Sequence, residues 1–313
     1  HEQQVVRVRR GAGAMSAADF SPASRPDSHP RRPLLTLKIG SSTLTGGTDR
    51  LSYGKIEDIA RQLSEIRREF DVVLVSSGAI ATARQFVEIE GNGTLIASKQ
   101  ALSAIGQPVL MRIFDEVFRS FGLRPAQCLL THRDFENDTA RLNTRNTMSV
   151  LLAHGYVPVV NENDTVSTEE IVLGDNDRLS AMVATVLGAD RLVIASDIDG
   201  LYTAPPHLDP AAEFIHDVTD LRQVAAYASG VGRSGQGTGG MYTKVLAAEI
   251  CLAQGVEMWI LNGRPNGFLT KAMQGRRRFT RFRPADPAGS AGSADSPVST
   301  VSPASSNRDS HPL

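Results

Sequence analysis

Short apolar runs alternate with amphipathic stretches through the middle of this chain. Leu34-Leu35-Thr36-Leu37-Lys38-Ile39 is one such run, ended by Gly40, and Asp71 to Val75 is a second, ended by Ser76-Ser77-Gly78. Between them Ile56, Ile59, Ala60, Leu63, Ile66 and Phe70 recur at the spacing of one helix face, which makes a β-α-β unit. The same alternation predicts strands near Gln127 to Leu130, Val157 to Val160, Leu192 to Ala195 and Val256 to Leu261. It predicts helices near Ala97 to Phe121, Arg141 to His154, Asp177 to Leu187 and Gly240 to Gln254. Strand alternating with helix implies an α/β fold, a mainly parallel central sheet sandwiched between helices. No internal repeat of short fixed period interrupts it.

The alternation stops at both ends. Residues 1–32 carry Arg, Ser, Ala and Pro without a hydrophobic period, and residues 284–313 are dominated by Pro, Ala, Ser, Gly and Asp. Neither stretch buries enough apolar surface to offset ordering entropy, so both read as disordered tails around one catalytic unit at 33–283. Its N-terminal part is expected to hold an acceptor and its C-terminal part a nucleotide. Met15 is a candidate start of translation.

Composition narrows the class. With 313 residues, 41% of them hydrophobic, the chain can build a substantial core without staples. A formal net charge of -1 gives no general electrostatic case for nucleic acid or membrane. Two cysteines, Cys128 and Cys251, fit no CxxC metal framework and read as buried small hydrophobes in a reducing compartment. There is no run of 18 apolar residues, and the six arginines before Pro33 come without a secretory h-region. The expectation is a cytoplasmic protein.

The polar residues gather where a parallel sheet collects ligands, at the carboxyl ends of strands. Gly40-Ser41-Ser42-Thr43, Ser76-Ser77-Gly78-Ala79, Asn161 to Thr165 and Ser196-Asp197-Ile198-Asp199-Gly200 each follow a predicted strand. Asn161-Glu162-Asn163-Asp164-Thr165-Val166 and Gly174-Asp175-Asn176-Asp177 contribute four acids and three amides within seventeen residues. Each buried polar group without a partner costs roughly 1–3 kcal/mol, so these side chains line a wet surface or hold a ligand. For Asp175-Asn176-Asp177, helix capping, a cation site and recognition of an ammonium group all fit the spacing.

Two lysines suggest phosphate. Lys38 lies beside Gly40 at a strand end, where an ammonium and nearby backbone N–H groups suit a phosphate, although a snorkelling surface lysine has the same pattern. Gly235 to Lys244 is a glycine-rich loop opening a helix, an anion site with a lysine one turn in, or a plain surface loop. It matches G-x-G-x-x-G, but no strand precedes it, and it misses the Walker A order because Lys244 follows Thr243.

Taken together these segments resemble the amino acid kinase family over about Leu35 to Gly275. The matching pieces are Lys38 to Ser42, Val75 to Ala81, Lys99 to Leu102, Leu130-Thr131 and Asn143 to Thr147. They continue with Asn161 to Val166, Gly174 to Asp177, Asp197 to Tyr202 and Gly237 to Lys244. Asn-Glu-Asn-Asp-Thr-Val with Gly-Asp-Asn-Asp is narrower, and is similar to the glutamate 5-kinase branch rather than the acetylglutamate, aspartate, carbamate or uridylate kinases.

The resemblance implies ATP-dependent phosphorylation of the side-chain carboxylate of L-glutamate to L-glutamyl 5-phosphate, the first step of proline biosynthesis, with Mg²⁺. It implies Lys38, Lys244 and Asp177 as catalytic residues, the lysines on the transferring phosphoryl and the acid holding them in place. Ser77, Asn161, Asp164, Asp175 and Asn176 match glutamate-binding positions. Lys38, Ser196, Asp197, Thr238, Gly239, Gly240, Met241, Tyr242, Thr243 and Lys244 match nucleotide-binding ones, and no residue matches a metal ligand. A glutamate side chain, with a pKa of about 4.3, is already ionised at neutral pH, so the reaction requires no general base. Aligning two anions and neutralising the equatorial oxygens carries the catalysis.

Further implied partners are a homo-oligomer, proline as feedback inhibitor, and channelling to glutamyl phosphate reductase. The chain departs from the family in Thr82-Ala83-Arg84, where a glycine is expected before the arginine; Ala83 is expected to tighten a turn there. The resemblance would also imply a C-terminal PUA domain of roughly 100 residues, where the expectation from residues 284–313 is a disordered Pro/Ala/Ser-rich tail.

Two other readings compete. Arg276-Arg277-Arg278-Phe279-Thr280-Arg281-Phe282-Arg283 has the basic and aromatic make-up of an RNA contact, which would make the chain a binding protein on a kinase-like scaffold. Its plain alternative is an edge strand with Phe279 inward and solvated arginines. A kinase for a different small carboxylate or phosphonate is the other.

Overall fold

The computed structural model describes residues 32–89, 96–167, 176–204, 206, 208–222, 224 and 240–284. Both expected tails lie almost wholly outside the described residues, as do Asp175, Thr238 and Gly239.

The strands are β1 (Leu34–Ile39), β2 (Asp71–Ser76), β3 (Pro125–Leu130), β4 (Val157–Glu162), β5 (Arg191–Ser196), β6 (Leu201–Tyr202), β7 (Phe214–Ile215), β8 (Asp217–Val218), β9 (Glu257–Asn262) and β10 (Thr280–Phe282). The helices are α1 (Ser41–Leu44), α2 (Tyr53–Ile66), α3 (Ala79–Ala83), α4 (Ile96–Ser120), α5 (Asp138–Ala153), α6 (Asn176–Leu187), α7 (Gly240–Ala253) and α8 (Phe268–Met273). Eight strands form one sheet in the order β3-β4-β2-β1-β5-β9-β10-β8, and β6 and β7 form a small hairpin. From β3 to β9 every neighbouring pair is parallel; β10 runs antiparallel to β9. The expected α/β sandwich is therefore the observed one.

The strand period decides which helix layer each residue meets. Leu35, Leu37 and Ile39 of β1 pack with Val72 and Leu74 of β2 against α2, α4 and α8. Leu34, Val73, Val75, Leu192 and Ile194 face the other way, toward α5, α6 and α7. With both faces covered, β1 reads as a nearly continuous apolar run, and each buried Leu or Ile contributes roughly 2 kcal/mol. Thr36 and Lys38 share the second face, so Lys38 is directed at α6 and α7 by parity alone.

Several boundaries differ from the sequence reading for physical reasons. Strand β4 runs on through Asn161 and Glu162, which pair with Leu129 and Leu130 of β3; their polar side chains are buried with partners, so polarity did not end the strand. Helix α5 starts three residues early, where the Asn137 side chain accepts the Ala140 N–H at 2.8 Å. Within the run 276–283 only Thr280–Phe282 forms a strand, β10, and β8 covers it, so it is not a sheet edge. Ala83 lies at the end of helix α3 rather than in a turn. Helix α3 packs so closely on α4 that a Cβ at Gly106 would sit 1.8 Å from the Ala79 carbonyl oxygen. Cys251 is buried as expected but Cys128, on outer strand β3, is half-buried; burial pushes their thiols up to about 12 and about 11.

Candidate active site

The carboxyl ends of β1, β2, β4 and β5 lie side by side. Ile39 is in register with Ser76 on one side and Ala195 on the other, which sets Gly40, Ser77 and Ser196 along one edge. The loops leaving these strands, and the N-termini of α6 and α7, build the site there.

At its centre is a buried charge clamp. Asp177, in the first turn of α6, places Oδ1 2.6 Å from Lys38 Nζ and Oδ2 3.0 Å from Lys244 Nζ. Thr243 Oγ1 donates to the same Oδ2 at 3.0 Å, and Lys244 Nζ also donates to the Gly240 carbonyl at 2.8 Å. Burial alone would raise the Asp177 carboxyl, but the charges of Lys38 and Lys244 and their hydrogen bonds outweigh it and hold it well below the usual carboxylate range. Two cations on one anion leave a net positive charge in a protected position, suited to an anionic ligand. Lys38 is buried here, not snorkelling, and a Cβ at Gly40 would lie 3.4 Å from its Nζ, so the glycine leaves open space beside the ammonium.

Next to the clamp is a cavity of about 130 Å³ lined by Ser41, Ser77 to Ala81, Asn161, Glu162, Asp164 and Asn176. Asn176 Nδ2 donates to Ser77 Oγ at 2.8 Å, to the Ser76 carbonyl at 3.1 Å and to Asn161 Oδ1 at 3.0 Å. Asp164 Oδ2 accepts from Ser103 Oγ at 2.6 Å, and Glu162 Oε1 from Ser167 Oγ at 2.8 Å. Ser77, Asn161, Asp164 and Asn176 thus surround one volume, whereas Asp175 lies outside the described residues. Of the three explanations for 175–177, capping does not account for Asn176 or Asp177, because both are committed to tertiary partners.

On the other side of β1, Ser196 Oγ is 3.2 Å from Asp197 Oδ1, and the Gly263 N–H donates to the Ser196 carbonyl at 2.8 Å. Asp197 is exposed at the strand end, 3.7 Å from the Arg264 guanidinium. Gly240 and Thr243 join the clamp directly; Met241 is half-buried against the core and Tyr242 is exposed. Thr238 and Gly239, with the rest of the glycine loop, lie outside the described residues. No three His, Cys, Asp or Glu side chains gather as a metal cage among the described residues.

Helix α4 contributes Gln100, inside the matched piece Lys99 to Leu102, and two residues that motif reading missed, Ser103 and Gln107. Gln100 Nε2 donates to the Ser167 carbonyl, Ser103 to Asp164, and Gln107 Oε1 accepts from Asn161 Nδ2. Their spacing, i, i+3 and i+7, is one helix face, so a polar stripe on an otherwise core-facing helix was the available signal.

Comparison with known proteins places the chain in a family. The amino acid kinase family profile matches residues 34–262. A glutamate 5-kinase of Geobacter metallireducens is 44% identical over 252 residues, covering 80% of this chain and 68% of that protein. A glutamate 5-kinase of Vibrio vulnificus is 41% identical over 253 residues, covering 80% and 67%. The chain thus spans about two thirds of the length of these relatives. Among solved structures, a UMP kinase from Ureaplasma parvum superposes with a TM-score of 0.58 at 12% identity, covering 81% of this chain and 100% of its own. A UMP kinase from Bacillus anthracis gives 0.55 at 14%, covering 81% and 97%. At such identities these two speak for the fold alone.

Proposed function

The chain belongs to the amino acid kinase family, and on that premise we propose that it transfers the terminal phosphoryl group of ATP to the side-chain carboxylate of L-glutamate, giving L-glutamyl 5-phosphate. The observation that carries the reading is the juxtaposition of the Lys38–Asp177–Lys244 clamp with the cavity holding Ser77, Asn161, Asp164 and Asn176. The bond from the terminal phosphorus to the bridging oxygen of ADP breaks as a carboxylate oxygen bonds to that phosphorus. No proton moves, since the acceptor arrives ionised.

Each residue then has a task. Lys38 and Lys244 neutralise the oxygens of the moving phosphoryl, and Asp177 keeps the two ammonium groups at fixed separation instead of letting them repel. Ser77, Asn161, Asp164 and Asn176, with Asp175, hold the acceptor, its ammonium favoured by the carboxylates. Ser196, Asp197 and the 238–244 segment hold the nucleotide, the N-terminus of α7 favouring its phosphates. The paired lysines fit a polyphosphate, and Mg²⁺ carried on ATP would supply further neutralisation of the phosphate oxygens.

The same reading makes the product a step toward proline, with proline as feedback inhibitor, a homo-oligomeric cytoplasmic enzyme, and delivery of the labile acyl phosphate to a reductase. It also favours glutamate over another small carboxylate, because relatives 41% and 44% identical over 80% of the chain carry that activity in their names. Purified protein with ATP, Mg²⁺, glutamate and hydroxylamine should form glutamyl hydroxamate, less of it when proline is added. ADP release indifferent to glutamate would overturn the acceptor assignment.

A further inference from the structure

The amides around the cavity form a chain whose polarity is set by two backbone groups. The Glu162 N–H, which only donates, meets Asn161 Oδ1 at 2.9 Å. This forces Asn161 Nδ2 toward Gln107, whose Oε1 accepts it at 2.8 Å. Gln107 Nε2 is then left to donate to Gln127 Oε1 at 3.1 Å. At the other end the Ser76 carbonyl, which only accepts, meets Asn176 Nδ2 at 3.1 Å, so that amide cannot be reversed either. With Nδ2 also facing Asn161 Oδ1 and Ser77 Oγ, Asn176 Oδ1 faces the opposite way.

That oxygen is buried and has no hydrogen-bond partner among the described residues, although Asn176 is only 7% exposed and lines the cavity. A buried acceptor without a donor is costly, and every amide that might turn to relieve it is locked. A ligand with N–H donors would relieve it. A carboxylate would not.

We propose that Gln107 is a positioning residue for the acceptor: by accepting from Asn161 Nδ2 it holds the Asn161 side chain in the position from which Asn161 Oδ1 anchors Asn176, so that Asn176 Oδ1 is presented to the α-ammonium of the substrate. The inference rests on the reading of glutamate as acceptor, and adds the residue that sets recognition of its ammonium end. Gln107 lies on α4, beyond the cavity lining, and acts only through Asn161. In its absence Asn161 Nδ2 loses its acceptor, and the Asn161 side chain rotates to find another, withdrawing the oxygen that anchors Asn176.

The test compares Gln107→Leu, which removes the acceptor, with Gln107→Glu, which keeps an oxygen toward Asn161 while the exposed Gln127 amide turns to suit it. Gln107→Leu should raise the glutamate KM about tenfold or more, as expected for a displaced hydrogen bond to a charged group, with the ATP KM little changed. Gln107→Glu should restore most of the loss. Glutarate, the same diacid without the ammonium, should bind wild type and Gln107→Leu equally when its binding is measured directly by calorimetry. An equal loss of glutarate binding, or a Gln107→Glu variant as defective as Gln107→Leu, would overturn the proposal. So would a crystal structure of Gln107→Leu with Asn161 unrotated, a result that does not depend on the acceptor. Should Gln107→Leu not fold, Gln127→Leu at its exposed position replaces it, with a smaller shift in the same direction expected and no shift refuting the relay. Wild-type hydroxamate formation separates the two levels: its absence defeats the glutamate reading, whereas its presence with an unaffected Gln107→Leu defeats only the relay.

Discussion

The two halves of the site are held by different forces. On the phosphoryl side, full charges meet inside the protein: Asp177 between Lys38 and Lys244, all buried. On the acceptor side, neutral amides of Gln107, Asn161 and Asn176 set the geometry, and Asp164 and Glu162 accept from serine hydroxyls. A buried ion pair stabilises only while both partners remain, since losing one strands the other charge in a poor solvent for it. An amide network has no such penalty of charge, but it has direction, and a reversed amide turns an acceptor into a donor. The clamp should thus fail through stability and rate together, the amide side through recognition.

The largest effect is expected where the charges meet. Asp177→Asn leaves two lysines facing each other without an anion and should cost about 3–5 kcal/mol of stability, read by urea unfolding, along with most of the turnover. The pH dependence has a definite sign. Because the folded pKa of Asp177 is depressed below its ordinary value of 3.8, its stabilisation is complete above that value and is lost only as pH falls through the folded one. The stability gap between wild type and Asp177→Asn should therefore hold constant from neutrality down to mild acid. A gap that already closes between about pH 7 and pH 5 would show that the clamp does not hold an ionised carboxylate.

A pair of single substitutions sharpens the contrast between the halves. Lys244→Ala should lower kcat by about 10²–10³, the usual cost of removing one group that stabilises developing charge. Asp164→Ala should instead raise the glutamate KM by roughly tenfold and leave the ATP KM alone, because its carboxylate lines the acceptor cavity. Steady-state kinetics with each substrate varied checks both. Equal losses of kcat in the two variants would merge the halves that the geometry separates.

The same contrast explains how much could be read from the sequence. The clamp was legible only through the family resemblance: local pattern marked Lys38 before a glycine turn and Lys244 after a glycine-rich loop as phosphate candidates, but left Asp177 at its helix start open among capping, a cation site and an ammonium contact. The sandwich was legible because buried strands and amphipathic helices differ in period. Gln107 and Ser103 were not read, because the polar stripe they share on α4 gives a face but no partner, and their meaning comes from Asn161 and Asp164, which lie 54 and 61 residues away. Lys55 was equally silent: it looks like an ordinary surface lysine, yet it is buried and donates to the carbonyls of Gly263 and Arg264, fixing the loop after β9. Burial pushes its ammonium pKa down, with Asp58 opposing. Strands of two or three residues such as β8 and β10 are too short to show a period, so the covering of β10 by β8 had to come from tertiary pairing.

The smallest effect is expected at that last element, where a basic run suggested nucleic acid. Its arginines are largely engaged within the chain: Arg278 reaches Asp199 at 2.6 Å and lies over the Phe214 ring at 5.0 Å, and Arg281 reaches Asp217 at 2.7 Å. Phe279 stacks on Trp259 and Phe282 is fully buried, so neither aromatic presents a face for bases. Arg278→Ala removes an exposed ion pair and part of a cation-π contact, and should cost less than about 1 kcal/mol because solvent screens such pairs. A salt titration of thermal stability should narrow the difference between Arg278→Ala and wild type further. RNA binding that weakens with salt, and is lost in Arg278→Ala, would instead mean that these arginines leave their aspartates for phosphates, a cost that an internal hairpin clamp of β6, β7 and β10 gives them no reason to meet.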